Sequence, residues 1–81
     1  SSSRFLPDIP VLTENAEVTV DDSGIADISV SGTGEDSTVL VQAHAYGDTS
    51  FIIKDGDKEY QYNIRIYEDD LGTSQIDITS R

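Results

Sequence analysis

Hydrophobic and polar side chains alternate most regularly on either side of an Asp55-Gly56 dipeptide. Before the dipeptide, Phe51 and Ile53 share one face of the chain. The alternating apolar positions after it are Tyr60, Tyr62, Ile64 and Ile66. A period of two is typical of a strand with one solvated face, and Asp-Gly between two such runs is a strong hairpin signal. The pattern predicts a hairpin whose apolar face the rest of the chain must cover, because an isolated hairpin is marginal in water.

Shorter alternations occur through the rest of the chain, separated by turns rich in Asp, Ser and Gly. They predict strands over residues 16–20, 25–30, 38–44 and 75–79, and a further short strand beginning at Val11 and Leu12. No segment carries apolar residues at helical spacing over three turns, so we expect almost no helix. Short strands between turn signals favour two packed sheets. The sequence therefore predicts an all-β sandwich of six to seven short antiparallel strands.

The chain of 81 residues has room for one hydrophobic core. Residues 1–10 contain both prolines and little periodicity, so we interpret them as a lead-in or linker, with an edge contact at Phe5 and Leu6. Residues 11–81 then form a single domain. The polar loop of residues 31–37 is predicted to be mobile and unpacked. The predicted core residues are Val18, Val20, Ile28, Val30, Val41, Phe51, Ile53, Tyr62, Ile64 and Ile66.

The charge of the chain restricts the classes of partner that it can bind. Sixteen acidic and five basic residues give a formal net charge of −11, which repels phosphate backbones and anionic lipid. We therefore expect no nucleic-acid partner. No apolar run approaches the ~20 residues that cross a bilayer, so we expect no membrane insertion, and no signal-peptide pattern is present. The absence of cysteine excludes disulfides and thiolate metal sites, and a single histidine, His44, argues against zinc.

Acidic clusters are the densest chemical feature of the sequence. They are Asp21-Asp22, Glu35-Asp36, Asp55-Gly56-Asp57 and Glu68-Asp69-Asp70. Calcium takes six to eight oxygen ligands, and loops at the end of a sandwich can gather carboxylates, so calcium is an alternative for these loops. The simpler interpretation is that Asp serves the local backbone in turns. We expect no cofactor, no metal site and no catalytic residues.

Aromatic and terminal residues raise two further alternatives. Tyr46 and Tyr67 are predicted to be exposed, and a patch that joined them to Ile52 would suit a sugar or protein ligand. His44 is predicted to lie at the surface or on an edge strand. The last predicted strand, residues 75–79, is expected to pair within its own domain, with addition to a neighbouring chain as the alternative.

Three segments resemble strands of bacterial immunoglobulin-like domains of group 2. Residues 23–29 are similar to their small-residue x-A-x-V-s strand, residues 39–43 to v-x-V-x-A, and residues 47–53 to G-t-t-x-I-x-I. Residues 64–66, Ile-Arg-Ile, take the place of the final V-x-V, and the Asp-Gly hairpin before that strand is also similar to the N-terminal region of pilus-assembly secretins. The resemblance covers roughly residues 16–67. The Trp-Ser-Ser that often precedes the Ala strand is missing, and an additional strand follows residue 70.

The resemblance implies an immunoglobulin-like β-sandwich of six to seven short antiparallel strands, used outside the cytoplasm as a spacer, adhesion or assembly module. We therefore expect a non-catalytic module of an exported bacterial surface or cell-envelope protein, located extracellularly or at the cell surface. Its expected partners are a protein or a cell-surface glycan, and it is expected to be a monomeric module of a larger chain. A carbohydrate-binding module and a calcium-dependent adhesion module are the alternatives.

Overall fold

The computed structural model describes residues 2–81, which form seven β-strands and no helix. The strands are β1 (Ser3–Phe5), β2 (Glu17–Val20), β3 (Ala26–Ser31), β4 (Thr38–Ala43), β5 (Gly47–Asp55), β6 (Lys58–Glu68) and β7 (Ser74–Ser80). They make a three-stranded sheet in the order β1-β4-β3 and a four-stranded sheet in the order β2-β5-β6-β7. Every strand pair is antiparallel. The predicted all-β architecture of two antiparallel sheets is confirmed, and it is consistent with a β-sandwich.

The central hairpin has the tight turn that the sequence predicts. Asp55 pairs with Lys58, so the turn itself consists of Gly56 and Asp57. Gly56 has a φ of 66°, whereas Asp57 is not among the residues with positive φ. Positive φ at the first central position alone, with glycine there, is the pattern of a type II′ turn, whose twist matches that of the flanking strands. Asp55 therefore ends β5 rather than forming the turn.

The core lies between the two sheets. Its buried hydrophobic residues are Leu6, Leu12, Ala26, Val39, Val41, Ala43, Phe51, Ile53, Tyr62, Ile64, Ile66 and Ile76. Phe51 and Tyr62 are paired across β5 and β6, and their rings stack with centroids 5.0 Å apart. The predicted core residues of β4, β5 and β6 are buried as expected. Those of β2 and β3 are half-buried against the same core, because both strands lie at sheet edges.

The predicted lead-in contributes to the fold. Ser1 lies outside the described residues, but Ser3–Phe5 is strand β1, which pairs with β4, and Leu6 is buried. The expected contact at Phe5 and Leu6 is present, while Phe5 itself remains mostly exposed. A strand of three residues is too short to show a period of two, which is why the sequence did not predict it.

The expectation of an unpacked loop at residues 31–37 is wrong at its C-terminal end. Ser37 is buried, and its hydroxyl donates to the carbonyl of Gly34 at 2.8 Å. The same hydroxyl accepts from the N–H of Leu12 at 3.1 Å, and Leu12 forms an isolated bridge with Gly34. Leu12 is 1% exposed, so this polar loop forms the cover over a core residue.

The terminal strand pairs inside the domain. β7 lies beside β6 from Tyr62 opposite Ser80 to Glu68 opposite Ser74. β7 and β1 are edge strands on the same side of the molecule, because Arg4 of β1 donates to the carbonyl oxygen of Ile76 at 2.7 Å. β2 and β3 adjoin each other on the opposite side. Residues 2–81 include no helix of the length and hydrophobicity needed to span a bilayer.

Candidate functional site

A cavity of about 610 Å³ opens at the end of the sandwich where β4 leads into β5. Its lining residues are Ser2, Ala43, His44, Ala45, Tyr46, Ile66 and Ser74. Ala43 and Ile66 are buried and make an apolar floor, whereas the side chains around them are hydroxyls and an imidazole. An apolar floor with a few convergent polar groups is typical of a small-ligand site.

The β4–β5 turn places Tyr46 at the rim of this cavity. The tyrosine is 55% exposed, and its hydroxyl lies 3.2 Å from Glu68 Oε2, to which it donates, and 3.0 Å from Ser74 Oγ. Gly47 follows with a φ of 144°, and a Cβ there would lie 3.1 Å from Ile25 Cδ1. The glycine thus lets the turn approach the core closely, while the two polar contacts hold the exposed ring in place.

His44 lies beside Tyr46 and is held from both its backbone and its ring. Its N–H donates to the carbonyl of Ile25 at 2.8 Å, and its ring Nε2 lies 2.7 Å from Asp27 Oδ2. Both side chains of the His44–Asp27 pair are about half exposed, so water screens their interaction. The surface position predicted for His44 is therefore present. The pairing with Asp27 was not predicted, because the two residues are 17 positions apart.

The acidic clusters supply acceptors to turns. Asp69 accepts from the N–H groups of Leu71 and Thr73, both at 2.9 Å, and from Gln75 Nε2 at 3.0 Å. The Thr73 backbone bond, followed by the Gln75 and Leu71 bonds, holds the pKa of Asp69 below its ordinary value. Asp22 accepts from the N–H of Gly24 in the same way. These are the backbone roles for which Asp is favoured in turns.

Asp55 fastens the segment before β2 to the hairpin. Its two carboxylate oxygens accept from the hydroxyl of Thr13 at 2.5 Å and from the N–H of Thr13 at 2.9 Å. These two bonds, led by the hydroxyl, lower the pKa of Asp55 despite the opposing effect of burial. Asp55 is only 8% exposed, so its carboxylate bonds to Thr13 rather than to solvent.

The described residues hold no group of three or more His, Asp or Glu side chains arranged to bind a metal ion. Calcium binding by the acidic loops stays an alternative that the sequence alone suggests. A melting temperature that rises in millimolar calcium and falls back with chelator would support it, and an unchanged melting temperature would contradict it.

The tyrosines divide between core and surface. Tyr62 is buried, and burial raises the pKa of its hydroxyl, with the neighbouring Tyr60 adding to the shift. Tyr67 is half-buried on the outer face, where Arg65 lies 5.0 Å from the centre of its ring. Ile52 is paired with Gln61, six residues from Tyr67, or about 20 Å along the strand. Tyr67 and Ile52 therefore do not form one patch.

Comparison with models of protein families, with curated proteins and with solved structures finds no match to this chain. The cavity beside Tyr46 and the order of the strands are thus the observations from which a function can be argued.

Proposed function

We propose that this chain is a non-catalytic, immunoglobulin-like module of an exported bacterial surface or cell-envelope protein, acting as a spacer or protein-interaction domain. The strand order supports the immunoglobulin-like part of the proposal. Constant-type immunoglobulin domains place strands A, B, E and D in one sheet and C, F and G in the other. Here the order β1-β4-β3 corresponds to B-E-D, and β2-β5-β6 corresponds to C-F-G. β7 adds a strand beyond the G position, and residues 2–81 provide none in the A position.

The packing supports the spacer role. The molecule measures 40 × 22 × 19 Å, an elongated shape. No buried side-chain nitrogen or oxygen in the described residues lacks a hydrogen-bond partner. Such satisfied interiors favour a single rigid state. The net charge of −11 favours solubility and opposes self-association.

The bacterial and extracellular parts of the proposal come from the resemblance of residues 16–67 to group 2 immunoglobulin-like domains. They are tested by labelling intact cells that make the protein with an antibody raised against the folded chain of 81 residues. Labelling of intact cells that is lost after surface proteolysis is the expected result. Labelling that requires permeabilised cells would overturn the proposed location.

Carbohydrate binding is a second candidate function, favoured by the exposed ring of Tyr46 at the rim of the cavity. Aromatic faces stack on sugar rings, and the hydroxyl of Ser74 and the ring of His44 are polar groups that line the same cavity. A glycan array should then give hits that Tyr46→Ala abolishes and Tyr67→Ala retains, since Tyr67 lies outside the cavity. An array without hits, or hits equally reduced by both variants, would exclude this site.

A further inference from the structure

The side of the sandwich between β1 and β7 is open. A sheet of three strands packs on a sheet of four, so one edge of the larger sheet has no strand opposite it. β2 adjoins β3 on the other side, which places the uncovered edge at β7. The side chain of Arg4 reaches across this opening and donates to the carbonyl oxygen of Ile76 at 2.7 Å.

The edge of β1 presents unpaired backbone groups to this opening. The carbonyl of Ser2 and the N–H of Leu6 both bond to the β4 side, at 2.8 Å each. In an antiparallel pair, alternate residues bond to the same neighbour. Residues 2, 4 and 6 therefore face β4, and Ser3 and Phe5 direct their N–H and C=O groups to the open side.

The outer edge of β7 also directs backbone groups towards this opening. The N–H of Arg81 donates to the carbonyl of Gln61 on β6 at 2.9 Å, so by the same alternation Ile76 and Ile78 direct their backbone groups away from β6. The bond from Arg4 to the Ile76 carbonyl agrees with this direction. Ile78 is only half-buried, although its side chain lies on the face that packs against the core.

Two cavities lie in line along this side. One, of about 320 Å³, has residues 2–4 on one wall and residues 74–76 on the other. The other, of about 220 Å³, has residues 6–8 on one wall and Ile78 and Ser80 on the other. Residue numbers therefore increase in the same direction along both walls. We name these two cavities together the β1–β7 groove. Residues 2–6 along its wall correspond to roughly 17 Å of extended chain, and Pro7 and Asp8 then form a bend.

Acidic side chains lie at both ends of the β1–β7 groove. Asp8 lines one end. At the other end, Glu68 bonds to the same tyrosine hydroxyl as Ser74, and Asp69 bonds to Gln75. Arg4 places a positive charge within the groove, but the chain as a whole carries −11, so a second copy would be repelled while a cationic segment would be attracted to the acidic ends.

We propose that the β1–β7 groove binds an extended segment of a basic partner protein, about five residues long in its paired part, as a fourth strand beside β1. Its backbone pairs with Ser3 and Phe5, an inward-facing apolar side chain lies over the half-buried Ile78, and cationic residues at its ends meet the acidic ends of the groove. This is recognition by strand addition to a sheet edge. It names the interaction surface of the protein-binding role proposed above and rests on that role.

The test is a nuclear magnetic resonance titration of the isotopically labelled chain with synthetic peptides. The probe has isoleucine at alternate positions, threonine between them and two lysines at each end. The control peptides replace the lysines with glutamates, or place a proline at the central backbone position. The lysine peptide should shift amide signals of residues 2–8 and 74–80 and bind at least about tenfold more tightly than either control at low salt.

Matched variants locate the contact. Ser3→Pro removes an N–H that faces the open side and leaves the pairing with β4 intact, as proline is tolerated on the solvent side of an edge strand. It should abolish binding, whereas Ser3→Ala should retain it. Asp8→Asn should weaken binding about two- to fivefold, and Asp57→Asn, the same charge change at the hairpin turn, should not. A dispersed spectrum of each variant reports that it is folded.

Shifts centred outside the groove, equal binding of the lysine and glutamate peptides, or undiminished binding by Ser3→Pro would each overturn the proposal. A concentration-dependent dimer that Ser3→Pro disrupts would overturn it in favour of a second copy as the occupant. These failures would leave the labelling of intact cells unaffected, so they are distinguishable from failure of the proposed location and role.

Discussion

At the scale of single residues, Phe51 holds the central position in the core. It is 1% exposed, stacks on Tyr62 and pairs with Val20 on its other side. Its removal would leave a cavity bounded by three strands of the same sheet. Because these neighbours are fixed by the ladders of β2, β5 and β6, we expect the cavity to collapse only partly.

Phe51→Ala should therefore lower the free energy of unfolding by about 3–5 kcal/mol, out of the ~5–15 kcal/mol typical of native domains. The measurement is urea denaturation at neutral pH. Val11→Ala is the control, since Val11 is 66% exposed and should change stability by less than about 0.5 kcal/mol. A loss below about 1 kcal/mol for Phe51→Ala would show that Phe51 is not a core residue.

The bonds from Thr13 to Asp55 make stability depend on pH in acid. Because these bonds lower the pKa of Asp55 in the folded state, the unfolded state binds more protons near the ordinary value of about 3.9. The stabilisation is present above that pH and is lost as the pH falls through the folded-state pKa. Asp69, whose pKa is also lowered, contributes with the same sign.

We expect the free energy of unfolding to fall between about pH 4 and pH 2, and to fall less steeply in Thr13→Val, which lacks the hydroxyl donor. Some dependence should remain in that variant, because the Thr13 N–H and Asp69 still contribute. Denaturation curves across this range are the measurement. Parallel pH profiles for Thr13→Val and the unaltered chain would refute the assigned role of the hydroxyl.

At the scale of elements, the hairpin turn depends on one glycine. Gly56 has a φ of 66°, and a Cβ there would meet no atom within 4 Å, so any cost of a side chain is conformational rather than steric. Gly56→Ala should destabilise the fold by at least about 1 kcal/mol. Asp57→Ala, at the second turn position, should be nearly neutral in the same thermal and urea unfolding measurements. Equal effects of the two variants would contradict the assigned turn.

The long alternating elements could be predicted from the sequence, because a period of two over β5 and β6 has no competing interpretation. The outward and inward faces of β3, β4 and β7 follow from the same pattern. β1 and the bridge between Leu12 and Gly34 could not be predicted, since each consists of too few residues to carry a period. Their places are set by distant partners in β4 and in the loop of Ser37.

The candidate site was predicted only in its parts. Exposure of Tyr46 was predicted in the turn between two strands, and His44 was predicted at the surface or on an edge strand, but the partners of both residues were not predicted. Asp27 reaches His44 because the start of β3 pairs with the end of β4, and Glu68 reaches Tyr46 because the turn between β6 and β7 lies at the same end of the sandwich. Which loops share an end depends on the strand order, and one sequence does not specify that order.

At the scale of the whole molecule, repulsion between like charges opposes the compact folded state. The net charge of −11 is spread over a small domain, and the described residues contain one lysine–carboxylate ion pair, Lys54–Glu59, and one histidine–carboxylate contact, His44–Asp27, both on exposed side chains. Self-repulsion therefore destabilises the folded state, and salt screens it, because the Debye length falls from about 30 Å at 0.01 M to about 3 Å at 1 M.

The melting temperature should accordingly rise with sodium chloride over that range. Glu14→Lys, a charge reversal at an exposed loop position, should raise the melting temperature at low salt and reduce the dependence on salt. Differential scanning calorimetry at neutral pH measures both effects. A melting temperature that falls with salt would contradict this account of the acidic surface.

The central claim is the strand order that places β1 beside β4 and β2 beside β5, with each sheet drawing on distant parts of the chain. Cross-strand nuclear Overhauser effects test it directly. The account predicts backbone contacts between Arg4 and Val41 and between Val18 and Ile53. Contacts that instead pair β1 with β2, or β2 with β3, as sequential hairpins would contradict it.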